Sequence, residues 1–342
     1  MRTIVAPARP RVAFSMRSAA LRDRLFDPAA RERLEAIADV VSDDVLTEFD
    51  SQAARMVLGR TTALITGWGC PYLGGEVLDV AKGLRLIAHA AGSVKGHVGE
   101  AAWDRGVIVT TAAQANAVPV AEYTLAAILL SGKDAFEERA QLRLGRSRYR
   151  RPGSGATNGN YGTTVGVIGA SRVGRLVLER LKAFDFRVLL ADPTLRPSDA
   201  VALGAELVPL EELLSESRIV SLHAPILPTT VGMIGATELS LMRDGATFIN
   251  TARGVLVDHR ALRAELRSGR LRAILDVTDP EPLADSDVLY ELDNVVLTPH
   301  IAGSMGNELA RMGDLAVAEV ERLAAGMAPA YAISRETLAV MA

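Results

Sequence analysis

Short apolar, β-branched runs alternate along the chain with longer stretches in which apolar residues return every third or fourth position. That alternation is the pattern of parallel strands covered by helices. The early strands fall at Arg11–Phe14, Thr62–Thr66, Leu84–His89 and Val107–Thr110, with helical segments at Ala29–Ile37 and Gly75–Ala81 between them. An apolar helix runs from Val118 to Ser131, and an arginine-heavy polar stretch follows from Arg139 to Tyr161. A second series opens at Thr164, with strands at Thr164–Ile168, Arg187–Ala191, Ile219–Leu222, Thr247–Asn250, Ala273–Asp276 and Val295–Thr298. Helices are expected at Val173–Ala183, Leu210–Ser215, Glu238–Leu241, His259–Ser268 and about Asn307–Ala325. Two series imply two α/β lobes, with the last helix packing back onto the first.

Composition removes several function classes. The chain has 342 residues, 49% hydrophobic and 23% charged, which suits a globular protein of two domains rather than a disordered one. A formal net charge of −3 lacks the broad basic field of a nucleic-acid binder. The arginine run with Arg143, Arg146, Arg148, Arg150 and Arg151 has only Tyr149 and Tyr161 for stacking, so a solvated loop or a subunit-facing arm suits it better. No stretch approaches the roughly 18 apolar residues of a membrane span, and no signal-peptide core follows Met1, so a cytoplasmic location is expected. The single cysteine, Cys70, excludes internal disulfides and thiolate metal cages, and no metal is expected.

Val165-Gly-Val-Ile-Gly-Ala-Ser-Arg-Val-Gly174 reads as strand, tight turn and helix. Such a turn needs Gly169 for the bend and Gly174 for close helix–strand packing. The amides around Ser171, Arg172 and Val173 then point with a helix dipole at a pyrophosphate. Ser171 replaces the usual middle glycine, which narrows the phosphate approach and adds a hydroxyl. Eighteen residues after Gly174, at the end of the next strand, Asp192 is placed to accept from adenosine ribose hydroxyls and to repel a 2′-phosphate. NAD is therefore expected over NADP, although Arg196 four residues later is able to answer a phosphate. An ordinary strand–helix turn and a turn-capping Asp192 before Pro193 are the bland alternatives.

Three further motifs follow predicted strands. They are His223-Ala-Pro-Ile-Leu-Pro-Thr-Thr230, Asn250-Thr-Ala-Arg-Gly-Val-Leu-Val-Asp258 and Leu275-Asp-Val-Thr-Asp-Pro-Glu-Pro282, the last continued by Leu297-Thr-Pro-His-Ile-Ala-Gly-Ser304. With the glycine turn, in this order and spacing from about Leu84 to Arg311, they resemble the D-isomer-specific 2-hydroxyacid dehydrogenases. That family includes phosphoglycerate, D-lactate, formate and phosphite dehydrogenases.

The resemblance implies a Rossmann-type NAD-binding domain at 114–302 inserted in a flavodoxin-like substrate domain at 1–113 and 303–342. It implies hydride transfer between a small D-2-hydroxy acid and its 2-oxo acid. His300 matches the acid/base, for which an imidazole's near-neutral pKa is suited. Glu281 matches its carboxylate partner, and Arg253 the guanidinium that grips the substrate carboxylate and developing alkoxide. Asp276 matches the contact to the nicotinamide carboxamide, while His223, Ala224, Pro225, Thr251 and Ala252 match the cofactor's surroundings. His223 reads equally as a loop cap.

Gly92, Ser93, Val94 and Lys95 match the loop whose amides hold the substrate carboxylate. Ser93 stands where the family commonly has glycine, and Lys95 where it has an acid. Lys95 resembles the lysine of phosphite dehydrogenases and would favour a strongly anionic substrate, or else it points to solvent. Trp68 lines the pocket or is a buried anchor. A homodimer is implied. Phosphite oxidation and a non-catalytic NAD(H)-sensing role on the same fold are the alternatives.

Overall fold

A computed structural model describes residues 9–145 and 158–339. Arg146, Arg148, Tyr149, Arg150 and Arg151 of the arginine run lie outside the described residues. The chain forms two compact units. One comprises residues up to Asn116 together with those from Ser304 on, and the other is Ala117–Gly303.

The first unit is built on strands β1 (Arg11–Ser15), β2 (Asp39–Leu46), β3 (Ala63–Thr66), β4 (Leu86–His89) and β5 (Ile108–Thr111). They form one parallel sheet in the order β2-β1-β3-β4-β5, which is the flavodoxin-like order. Period-two alternation sends Val12, Phe14, Ala63, Ile65, Leu86 and Ala88 to one buried face and Ala13, Leu64 and Ile87 to the other. The helix Leu309–Ala324 closes the first face through Leu309, Met312, Ala316, Val317 and Val320. Gly313 permits this, because a Cβ there would stand 1.8 Å from the Leu25 carbonyl oxygen.

Strand β2 was not legible as a strand. It is the edge strand, mostly solvated and carrying Asp39, Asp43 and Asp44, and its register on β1 shifts between Val12 and Phe14. Charge and irregularity are what a sheet edge needs to resist pairing with another chain, and they erase the apolar signature of a buried strand.

The second unit carries β6 (Thr164–Ile168), β7 (Arg187–Ala191), β8 (Glu206–Leu207), β9 (Ile219–Leu222), β10 (Thr247–Asn250), β11 (Arg272–Leu275) and β12 (Val295–Leu297). All pairs are parallel, in the order β12-β11-β10-β9-β6-β7-β8. This is the doubly wound dinucleotide-binding order with one strand added, and its direction reverses between β6 and β9. Ile168, Leu189, Val220, Leu222, Phe248 and Leu275 build one core face, and Val165, Val167, Leu190, Ile249 and Ile274 the other. The helix Ala113–Gly132 begins five residues before the expected Val118, with Pro119 inside it. Among the described residues no helix is long and apolar enough to cross a membrane, and no three His, Cys, Asp or Glu side chains group as a metal site.

Candidate active site

Six strands of the second sheet end, at their carboxyl termini, on the motif residues: β6 on Gly169, β7 on Asp192, β9 on His223, β10 on Thr251, β11 on Asp276 and β12 on Thr298. In an open parallel sheet ligands bind outside this edge, at the point where the strand order reverses. Gly169 and His223 flank that point.

The glycine turn fits a dinucleotide. Gly169 has φ +90°, and a Cβ on it would meet the Ala224 amide nitrogen at 2.9 Å. On Gly174 a Cβ would fall 2.1 Å from the Gly169 carbonyl oxygen, so the helix Arg172–Leu181 lies directly on the turn. Ser171 caps that helix, its Oγ accepting from the Gly174 amide at 3.3 Å. The serine hydroxyl hydrogen remains available to a ligand, because the cap uses only an oxygen lone pair. Arg172 is exposed, and Val173 packs against the core. Asp192 takes the Ala170 amide on Oδ2 at 2.7 Å and the Thr194 amide and hydroxyl on Oδ1 at 2.9 and 2.6 Å. Burial pushes its carboxyl up, but these bonds and the Arg175 charge together hold it below its ordinary value.

His223 is buried, its Nε2 is 2.8 Å from the Ser221 hydroxyl, and burial pushes its pKa down to about 3. Its ring is neutral, and its Cβ lies 3.3 Å from where a Gly174 Cβ would stand. Ala224 is buried, and the Pro225 carbonyl accepts from the Thr230 hydroxyl at 2.6 Å. Thr251 is buried against Thr124, hydroxyl to hydroxyl at 2.9 Å. The Ala252 amide donates to Asn250 Oδ1 at 2.9 Å, while Asn250 Nδ2 donates to the Arg253 carbonyl at 3.0 Å. Asn250 thus folds the turn that presents Arg253, a role for which the buried strand-end asparagine was the overlooked signal.

His300 and Glu281 meet, and the Glu281 charge reaches Arg253. Since an ionised carboxylate only accepts, His300 Nδ1–H donates to Glu281 Oε1, at 2.6 Å, which leaves Nε2 as the working nitrogen. The His300 side chain is 49% exposed, open to a ligand. Gly254 lets the two loops touch, because a Cβ there would overlap the Thr278 carbonyl at 2.0 Å. Burial lowers the pKa of the Arg253 guanidinium, and the Glu281 charge opposes that. Among the described residues its one hydrogen bond runs from Nη1 to the Ala252 carbonyl at 2.6 Å. A half-buried cation so sparsely paired is a place for an anion.

Asp276 is 2% exposed, and its carboxylate is bonded to the loop that carries His300. Oδ1 accepts from the Thr298 hydroxyl at 2.6 Å and the Ile301 amide at 2.8 Å, and Oδ2 from the Ala302 amide at 2.9 Å. The Asp276 carbonyl also accepts from the His300 amide at 2.9 Å. His300 is held by this loop at φ +55°, a conformation that costs a non-glycine residue about 1–3 kcal/mol. Tyr123, 2.8 Å from the Thr298 oxygen, must donate to it, since Thr298 spends its own hydrogen on Asp276.

The remaining expected residues belong to the first unit. The Trp68 ring is partly buried and packs against the core there. The Val94 side chain is likewise core. Only its backbone is therefore left for a ligand. Lys95 is exposed, and its amide donates to Ser93 Oγ at 3.3 Å. Among the described residues the Gly92, Ser93 and Val94 amides make no hydrogen bond.

Residues 125–302 match the family model described as D-isomer specific 2-hydroxyacid dehydrogenase, NAD binding domain. The chain is 39% identical over 301 residues to the D-3-phosphoglycerate dehydrogenase of Mycobacterium leprae, covering 88% of this chain and 56% of that protein. It therefore spans little more than half the length of that relative. The glyoxylate reductase of Korarchaeum cryptofilum is 33% identical, with 78% of this chain and 80% of that protein covered. A phosphoglycerate oxidoreductase structure from Rhizobium etli superposes with a TM-score of 0.79 at 26% identity, over 96% of this chain and 99% of the other.

Proposed function

The chain belongs to the D-isomer specific 2-hydroxyacid dehydrogenases, and from that premise we propose that it interconverts a small D-2-hydroxy acid and its 2-oxo acid with NAD. The observation that carries this reading is the 2.6 Å His300–Glu281 pair, whose carboxylate acts on the half-buried Arg253, on the sheet edge that also bears the dinucleotide turn.

Gly169, Ser171, Arg172, Val173 and Gly174 would hold the pyrophosphate of NAD, and Asp192 the adenosine ribose. When bound, the nicotinamide supplies a hydride to the 2-oxo carbon or accepts one from the 2-hydroxy carbon. His300 Nε2–H gives the carbonyl oxygen its proton in reduction, and neutral Nε2 takes the hydroxyl proton in oxidation. Glu281 keeps Nδ1 protonated in either direction and fixes the ring plane. Arg253 binds the substrate carboxylate and stabilises the oxygen on which negative charge grows. Asp276, Thr298 and Tyr123 hold the His300 loop still. In the first unit the Gly92, Ser93 and Val94 amides are donors of the kind that hold a carboxylate. Lys95 adds a cation for a second negative charge.

The relatives named for phosphoglycerate and glyoxylate point to a multiply anionic and a monoanionic acid respectively, so both classes belong in the test. Purified protein with NADH and a panel of 2-oxo acids, followed by loss of nicotinamide absorbance, is expected to turn over at least one. NADH binding without turnover across the panel, phosphite included in the oxidative direction, would overturn the enzymatic reading. Lys95→Ala is expected to lower kcat/KM about tenfold more for a dianionic acid than for a monoanionic one. Equal losses for both would remove Lys95 from substrate recognition.

A second copy of this chain is the expected partner. Leu130, Phe184 and Tyr161 are exposed apolar residues on the second unit.

A further inference from the structure

The adenosine end of the proposed site carries a second carboxylate. In doubly wound sheets that take a 2′-phosphorylated dinucleotide, an arginine near the end of the second strand answers the phosphate. Arg196, four residues after Asp192, is positioned in sequence to do this. Its guanidinium is engaged elsewhere. Nε donates to Asp199 Oδ2 and Nη2 to Asp199 Oδ1, each at 3.1 Å, while the Arg196 amide donates to Asp199 Oδ2 at 3.1 Å. Side chain and backbone of one arginine are thus gripped by one carboxylate at the start of the helix Pro197–Ala202. Arg175, in the first turn of the helix on the glycine turn, acts electrostatically on both Asp192 and Asp199. The two carboxylates therefore share one rim, with Arg175 and Arg196 as its cations.

Resting on the NAD reading above, we propose that Asp199 is a specificity-determining residue: by holding Arg196 it withholds the cation that a 2′-phosphate requires. Preference for NAD then rests on two carboxylates with different tasks. Asp192 accepts from the ribose hydroxyls, and Asp199 keeps the neighbouring arginine occupied. The Arg196 side chain is 79% exposed, so the pair is solvent-screened and its release shifts affinity modestly rather than inverting it.

The test is isothermal titration of NADH and NADPH into wild type, Asp199→Asn and the double variant Asp199→Asn/Arg196→Ala at low ionic strength. Asparagine retains an oxygen for the Arg196 amide, so the helix start survives while the charge is removed. Asp199→Asn is expected to bind NADPH about three- to tenfold more tightly, with NADH affinity within about twofold of wild type. That gain should shrink in 0.5 M salt and vanish in the double variant. NADH binding with no gain for NADPH in Asp199→Asn, or a gain that persists without Arg196, overturns the proposal alone. Failure of wild type to bind NADH overturns the cofactor reading and this proposal with it.

Discussion

Replacing His300 by alanine is expected to lower kcat by about 10²- to 10⁴-fold while leaving the NADH dissociation constant within about twofold of wild type. The split follows from what the side chain touches. Among the described residues the imidazole's one hydrogen bond is to Glu281, and none of the groups proposed to hold the dinucleotide is bonded to it. The loop that carries it is anchored by backbone atoms, with the His300 amide on the Asp276 carbonyl and the Ile301 and Ala302 amides on the Asp276 carboxylate. Removing the imidazole therefore leaves the loop path intact and deletes only proton transfer. Glu281→Gln is the milder companion. Its amide oxygen still accepts from Nδ1, but the negative charge beside the ring is gone, so kcat falls. A His300→Ala enzyme that retains wild-type kcat would sink the acid/base assignment. If affinity for NADH dropped as far as kcat, the residue would be a binding group instead.

Which parts of this arrangement could be read from the chain depended on whether the signal was local. The strands of the second unit are apolar on both faces, because helices cover both sides of a parallel sheet, and their continuous runs stand out. Each motif residue stands one to three positions beyond such a run, so the edge of the sheet on which Gly169, Asp192, Arg253 and His300 gather followed from the strands themselves. Long-range partners were not legible. Nothing near Asp276 in sequence says that its carboxylate turns to Thr298, Ile301 and Ala302, more than twenty residues on. Tyr123 was hidden in the same way, its partner lying on β12's exit loop. The Arg196–Asp199 pair is different. Its three-residue spacing was visible, but an exposed arginine is free to turn either way, and only the geometry decides that it faces the carboxylate.

Asp276→Asn is expected to destabilise the second unit by about 2–4 kcal/mol and to lower kcat by at least tenfold, more than it weakens NADH binding. Asparagine has nearly the same shape, so the cost is one of donors and acceptors. The carboxylate accepts three hydrogen bonds with both oxygens, two of them from amides of the chain around His300. The carboxamide must place an NH₂ group on one side, where it faces an N–H or O–H donor and leaves that buried donor unpaired. Thr298 then loses its acceptor or the Ala302 amide does, and Tyr123, which depends on Thr298 through its hydroxyl, is affected in turn. With fewer bonds opposing its cost, the φ +55° conformation of His300 relaxes towards ordinary backbone, and Nε2 moves away from where the substrate oxygen must sit. Thermal unfolding gives the first quantity and steady-state kinetics with a direct NADH titration the others. A variant with full stability and a loss confined to NADH affinity would mean that the carboxylate serves the nicotinamide and not the loop.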